Sequence, residues 1–278
     1  NHAAYFATGV WHLYCRELDA RFLAQMWPAV DSAMRFVLAM QLPNGAVAWA
    51  QKNGKTWAAP LLTGSSSVHG SMVCAIRIAD RLGHDRPEWR KACERLARVL
   101  RHKPAVFTET DLPEKPGRHS MDWYYPVLGG ALRGELGRKR LLDGALIAAF
   151  VEEGVGCRCV KESPWYTIAE TCELALALHA CGLTARARDM LAWTRWLRGE
   201  DGAYFTGATH PERQIFPEGE QTSWTAAAVL IASDAVQGRS ATSDFFRSLS
   251  GDDLHAVRPR SELPQRPAGY DELRTAAE

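Results

Sequence analysis

The chain has 278 residues, 46% hydrophobic and 23% charged. That usage excludes a mainly disordered chain, a collagen and a small disulfide scaffold. Lys and Arg number 33 against 32 Asp and Glu, so the net charge of +1 leaves no electrostatic footprint for DNA or RNA. No apolar run approaches the roughly 20 residues of a bilayer span, and no leader pattern is visible.

Apolar residues recur at helical spacing almost throughout. In chain order the predicted helices are 3–16, 20–41, 66–82, 87–101, 125–136, 138–152, 165–181, 184–198, 222–236 and 240–248. Gly83 and Gly182 stand just past helix ends, and Pro87 and Pro164 near helix starts. The connectors alternate. Those near 17–19, 83–86, 137, 182–183 and 237–239 are short, which makes antiparallel helix hairpins. Those at 42–65, 102–124, 153–164 and 199–221 are long and step to the next hairpin. The segments Gln41–Gly45 and Arg198–Gly202 repeat the same pattern, each after a Trp-bearing helix and before an aromatic, Trp49 or Tyr204. The fold expected is all-α, an (α/α) toroid of helix hairpins over 1–248 with every long loop at one end. Residues 249–278, with Pro259, Pro264 and Pro267, are expected to be an extended or disordered tail. The count gives five hairpins. A sixth, N-terminal hairpin is expected to be absent from this sequence, leaving a gap between helices 3–16 and 222–236.

The seven cysteines are odd in number, and five lie in apolar helical stretches. They read as buried thiols suited to a reducing cytoplasm. Cys157 and Cys159 have neither the spacing nor the second pair of a zinc site, so no metal and no cofactor is expected.

Helices that follow long loops begin with Thr63–His69, Ser120–Pro126, Ser163–Glu170 and Glu218–Trp224. Their first turns should line one mouth of the ring, where Trp stands beside carboxylates. A sugar offers an apolar face for stacking and a rim of hydroxyls for hydrogen bonds. Glycoside cleavage needs one protonated carboxyl to aid the leaving oxygen and a second, ionised, to activate water or attack. Burial beside aromatics favours the protonated form. The catalytic candidates are Asp122 as general acid and Glu220 as base, or the reverse, with Glu170 in reserve. A water between them implies a separation of about 6.5–9.5 Å and inversion. The candidates for sugar contact are His2, Tyr5, Trp49, His69, Trp123, Tyr124, Trp165, Tyr204 and Trp224. Each has a plainer reading: helix-dipole or capping carboxylates, core tryptophans and a core histidine.

Other chemistries fail on motif. There is no DxDD, and Asp252-Asp253 is followed by Leu254, His255 and Ala256, so it is no DDxxD. Walker A, GxSxG and HExxH are absent. Gly129-Gly130 is expected to permit close helix packing.

The strings His2–His12, Met121–Gly130, Ala169–Leu174 and Thr222–Leu230 resemble an actinobacterial (α/α) barrel family labelled prenyltransferase-like. The mycobacterial methylmannose polysaccharide hydrolases, endo-acting α-mannosidases, are similar as well. The resemblance covers most of residues 1–236. It implies a six-hairpin barrel and a cytoplasmic glycosidase trimming a methylated mannan. It also implies a further N-terminal hairpin bearing an acidic motif, which this sequence lacks. The alternatives are a non-catalytic carbohydrate-binding toroid and an isoprenoid-binding protein. The partner expected is an oligo- or polysaccharide; nothing in the sequence assigns an oligomeric state.

Overall fold

The computed structural model describes residues 1–108 and 117–250. Helices α1 (His2–Glu17), α2 (Ala20–Ala39), α3 (Leu62–Leu82) and α4 (Pro87–His102) form two consecutive hairpins. Asp19 ends the first turn cleanly: its carboxylate accepts from the Arg21 and Phe22 amides at 2.8 and 3.3 Å, capping α2. Gly83 stops α3 in the left-handed conformation at φ 79°, which costs glycine nothing. Helix α3 is buried from Ser65 to Ile76 without a break, whereas α4 buries one stripe, including Trp89, Ala92, Cys93 and Leu96. This difference makes α3 an inner helix and α4 its outer cover.

The second half repeats the arrangement with α6 (Met121–Leu128), α9 (Ile168–Ala180), α10 (Thr184–Trp193) and α11 (Ser223–Gln237), after the single turn α5 (Ala105–Thr108). Helix α1 packs on α3, α3 on α6, α6 on α9 and α9 on α11, while α2, α4 and α10 cover α1, α3 and α9. The result is an (α/α) toroid of inner and outer helices. Its apolar core forms two clusters, one around α1–α4 and one around α6–α11. Among the described residues α11 makes no extensive packing back onto α1. Tyr5, Phe6 and Leu13 on α1 and Trp224, Leu230 and Ile231 on α11 are exposed.

The expected helices at 125–136 and 138–152 are corrected to three short ones: α6, α7 (Gly134–Leu141) and α8 (Gly144–Phe150). Gly129 and Gly130 end α6 instead of lying inside a helix, with Gly130 at φ 80°. Asp143 starts α8 by accepting from the Ala145 and Leu146 amides. The expected helix 240–248 contracts to α12 (Phe245–Ser248). Leu249 is buried and its carbonyl accepts from Arg133, so the body runs through it. The rest of the tail, from 251, lies outside the described residues.

The long loops carry small sheets that helical periodicity does not register. Strands β1 (Ala48–Lys52) and β2 (Lys55–Pro60) form a hairpin through Asn53 and Gly54, both at positive φ, as a type I′ turn requires. Strands β3 (Val151–Glu152), β4 (Gly156–Arg158), β5 (Trp165–Thr167) and β6 (Gly207–Thr209) form an antiparallel sheet in sequence order. β5 runs directly into α9, so 165–167 is strand where helix was expected.

Candidate active site

Glycines set the distance between two inner helices. A Cβ on Gly70 would stand 3.1 Å from the Gly129 carbonyl oxygen, and one on Gly129 only 2.1 Å from that of Ser66. The His69 imidazole, fully buried, binds the Gly129 carbonyl through Nδ1 at 2.7 Å. The α3–α6 crossing is therefore nearly backbone to backbone. Strand β4 fixes α9 in turn: the Thr171 hydroxyl donates to the Thr167 carbonyl at 2.6 Å and accepts from the Cys157 amide at 2.8 Å.

With the helices so placed, residues in their first two turns meet. Tyr124 and Tyr125 of α6 donate to Oε2 and Oε1 of Glu173 on α9, at 2.7 and 2.8 Å. Tyr5 of α1 is within hydrogen-bonding reach of Tyr125 and of Ser67 on α3. Four inner helices thus contribute to one hydroxyl–carboxyl cluster. Tyr124 is fully buried and Tyr125 nearly so, while Tyr5 is 38% exposed. Glu173 as a residue is partly buried, and its carboxyl lies deep between the two phenols.

Desolvation pushes the Glu173 carboxyl up from 4.5 to about 7; the Glu170 charge, one helical turn back, acts in the same direction, and the two tyrosine hydrogen bonds act against it. Burial, followed by the Glu173 charge, pushes both phenols well above their usual range, so they remain donors. A carboxyl with such an affinity holds a proton near neutrality, the property a general acid needs. In the sequence Glu173 stands three residues after Glu170, within the segment Ala169–Leu174. The signal for it is the Tyr-Tyr pair at 124–125, whose two hydroxyls both reach it.

The expected site residues separate. Asp122 accepts from the Thr63 hydroxyl at 2.7 Å and the Gly117 amide at 3.0 Å, so both oxygens tie the 117–122 segment to the start of α3. Glu170 accepts from the Thr167 hydroxyl, and Cys159 hydrogen-bonds to it. Glu220, partly buried ahead of α11, accepts from the Thr206 hydroxyl at 2.8 Å on Oε1. Thr206 in turn accepts the Ile168 amide at the start of α9, which draws the Glu220 loop to the same end.

Among the aromatics, Trp123 is a core residue: it is 2% exposed, stacks on Phe150 and donates its indole N–H to the Arg140 carbonyl at 2.7 Å. Tyr124 offers no open ring face; its role is the hydroxyl on Glu173. His69 is likewise interior. Trp165 is partly buried, edge-on to Phe216, with its N–H on the Phe216 carbonyl at 2.8 Å. Tyr204 lines a cavity of about 560 Å³ between α10 and α11, with Arg188 and Arg195. His2 and Trp224 are exposed, the latter 64%. Trp49 is exposed on β1 and stacks on Trp57 of β2, centroids 5.1 Å apart.

All seven cysteines are free thiols, and burial pushes Cys15, Cys74 and Cys93 up to about 12, which suits packing and not nucleophilic work. Among the described residues no cluster of His, Cys, Asp and Glu is arranged to hold a metal ion, and no helix is long and apolar enough to cross a membrane.

A protein of Mycolicibacterium hassiacum described as an MMP endo-(1,4)-3-O-methyl-alpha-D-mannosidase is 44% identical to this chain over 249 residues, which span 90% of the chain and 67% of that protein. No family model matches. A glycosidase variant solved in complex with glucose superposes with a TM-score of 0.58 at 17% identity, over 84% of this chain and 67% of the other. An alpha-amylase from Clostridium perfringens gives 0.52 at 11% identity, over 94% and 78%. These two likenesses concern the fold.

Proposed function

The chain belongs to the family of that mycobacterial endo-mannosidase, and on this premise we propose that it is a glycoside hydrolase cleaving internal α-mannosidic bonds of a 3-O-methylated mannan. The observation that carries the reading is Glu173, a carboxyl that holds a proton to about pH 7 at the meeting point of four inner helices.

Glu173 donates its proton to the glycosidic oxygen as the C–O bond breaks. Without that donation the leaving group is an alkoxide with a pKa far above that of water-stabilised leaving groups, and cleavage is slow. The proton donor is thus assigned to Glu173 in place of Asp122. Glu220 keeps the role expected for it: an ionised carboxylate that removes a proton from the attacking water. Two carboxyls must flank the bond from opposite sides. Glu170 shares a helix turn with Glu173 and cannot do so, whereas Glu220 comes from the loop ahead of α11. Glu170 instead contributes charge that helps Glu173 retain its proton.

An assay on an α-(1→4)-linked 3-O-methylmannose oligosaccharide tests this directly. Wild-type protein is expected to release shorter oligosaccharides. Glu220→Gln should lower kcat by roughly 10²–10⁴ through loss of general-base work. Asp122→Asn should keep turnover within about tenfold and lose stability, because it weakens two hydrogen bonds at about 0.5–1.5 kcal/mol each. The opposite order of effects would return the chemistry to Asp122.

The Trp49–Trp57 pair stands exposed on a hairpin that enters the start of α3, the end at which the cluster forms. Two open indole faces suit a methylated sugar chain, with stacking worth about 0.5–1.5 kcal/mol per ring. Replacing both by Ala is expected to raise KM for a long oligosaccharide about tenfold and leave kcat unchanged. An unchanged KM would remove the hairpin from the binding surface.

A further inference from the structure

The reading of Glu173 as proton donor leaves open what aims its carboxyl and how tightly it holds its proton. We propose that Tyr124 and Tyr125 are positioning residues that fix the plane of the Glu173 carboxyl and set its proton affinity, with Tyr5 and Ser67 extending the same hydrogen-bond chain to α1 and α3. This inference rests on the function proposed above and concerns groups whose hydroxyls act through Glu173.

Geometry carries the argument. The two phenols reach opposite oxygens of one carboxyl, at 2.7 Å to Oε2 and 2.8 Å to Oε1. One contact leaves a carboxyl free to rotate about its terminal bond; two, on different oxygens, define its plane. Both phenols come from adjacent positions of α6. Their own placement is set by the Gly70–Gly129 approach and by the Gly129 amide closing on the Tyr125 carbonyl at 2.7 Å. Only one of the two rings therefore needs to be displaced for the carboxyl to swing. The remaining lone-pair direction of each oxygen is what the substrate can meet.

The electrostatic setting agrees. Burial and the Glu170 charge favour the protonated carboxyl, and the phenol hydrogen bonds favour the carboxylate. Without those bonds the group would hold its proton more tightly and surrender it less readily to a sugar oxygen. The groups facing Glu173 are Glu170 on its own helix, Tyr124 and Tyr125 on α6, Tyr5 on α1, and the thiols of Cys157, Cys159 and Cys172. Burial raises all three thiols well above their usual range, so they are neutral throughout the pH range at issue. The phenols are neutral there as well. Glu170 is then the one other carboxylate whose charge Glu173 senses among these groups, and it is common to every variant below.

The experiment is a carboxyl-carbon NMR titration of protein labelled at glutamate, with Glu173→Gln identifying the Glu173 resonance. In wild type the midpoint is expected at about 7. Tyr124→Phe and Tyr125→Phe each remove one hydroxyl and keep the ring. Each variant loses one hydrogen bond to the charged form, so each should move the midpoint up by about one to two pH units. The alkaline limb of kcat should move with it while KM stays nearly constant. A midpoint that stays at the wild-type value in both variants overturns the proposal, whatever happens to the rate. Should either Phe variant fail to fold, 3-fluorotyrosine at the same position supplies a stronger donor and should move the midpoint down; no movement there counts against the proposal equally. The titration needs no turnover. Absence of hydrolysis by the wild type would refute the glycosidase reading alone, and a fixed midpoint would refute this one alone.

Discussion

Glu173→Gln should lower kcat on a methylmannose oligosaccharide by roughly 10²–10⁴ and at the same time make the protein more stable at pH 8. The first effect follows from the lost proton. The second follows from linkage. The folded-state affinity of Glu173 is raised, from 4.5 to about 7. Between those values the folded protein holds a proton that the unfolded chain has released. Its contribution to stability is therefore complete below pH 4.5 and is lost as pH rises through about 7. At about 1.4 kcal/mol per pH unit, ionising the buried carboxyl costs the folded state about 3 kcal/mol at pH 8. Gln keeps the shape, accepts from one tyrosine and carries no charge. Chemical denaturation at pH 4.5 and pH 8 checks this: the variant should gain on wild type at pH 8 and lose that gain at pH 4.5. Equal stability differences at the two pH values would mean that Glu173 is not carrying a buried charge. A site residue that destabilises its own fold is common where function needs it.

Gly129→Ala is expected to be strongly destabilising for a single added methyl group. The added carbon would sit 2.1 Å from the Ser66 carbonyl oxygen, a backbone atom that no side-chain rotation can move. Helices α3 and α6 must part, and the His69 contact to the Gly129 carbonyl lengthens with them. Overpacking of this kind costs about 3 kcal/mol or more. Activity should fall beyond the loss of folded protein, because Tyr124 and Tyr125 ride on α6 while Ser67 rides on α3. A thermal melt and a rate measurement on the surviving folded fraction check both parts. By contrast, Gly144→Ala, where an added carbon meets nothing within 4 Å, should be nearly neutral.

How far the sequence carries can be traced at particular residues. The alternation of short and long connectors was enough for the toroid, because hairpins of amphipathic outer and fully apolar inner helices have few other ways to bury their faces. The 125–152 stretch misled because its apolar spacing continues across Gly129-Gly130 and Asp143, whose turn and capping chemistry outweighs periodicity. The β1–β2 hairpin is legible in Asn53-Gly54, a pair suited to a type I′ turn, but helical periodicity around it gives no sign of strands. The site was half legible. The end of the ring and the presence of carboxylates there follow from where the long loops enter. Which carboxylate holds a proton does not, because it depends on how deeply each is buried and what its oxygens meet in the folded ring. Asp122 is tied at both oxygens to Thr63 and Gly117, positions 59 and 5 residues away in sequence. Glu173 is distinguished from Glu170 by the burial that raises its proton affinity and by the phenols that α6 brings across to it. Trp123 and Tyr124 sit beside a carboxylate in sequence and face away from it in space; neighbours in a helix point about 100° apart.

The account is tested most directly by comparing Glu173→Gln with wild type on two substrates that differ only in leaving group. One is the methylmannose oligosaccharide, whose departing sugar oxygen needs a proton. The other is the same glycon carrying 2,4-dinitrophenolate, which departs without one. If Glu173 is the general acid, the variant should lose roughly 10²–10⁴ in kcat on the first and stay within about tenfold of wild type on the second. An equal loss on both substrates, or none on the oligosaccharide, would contradict it.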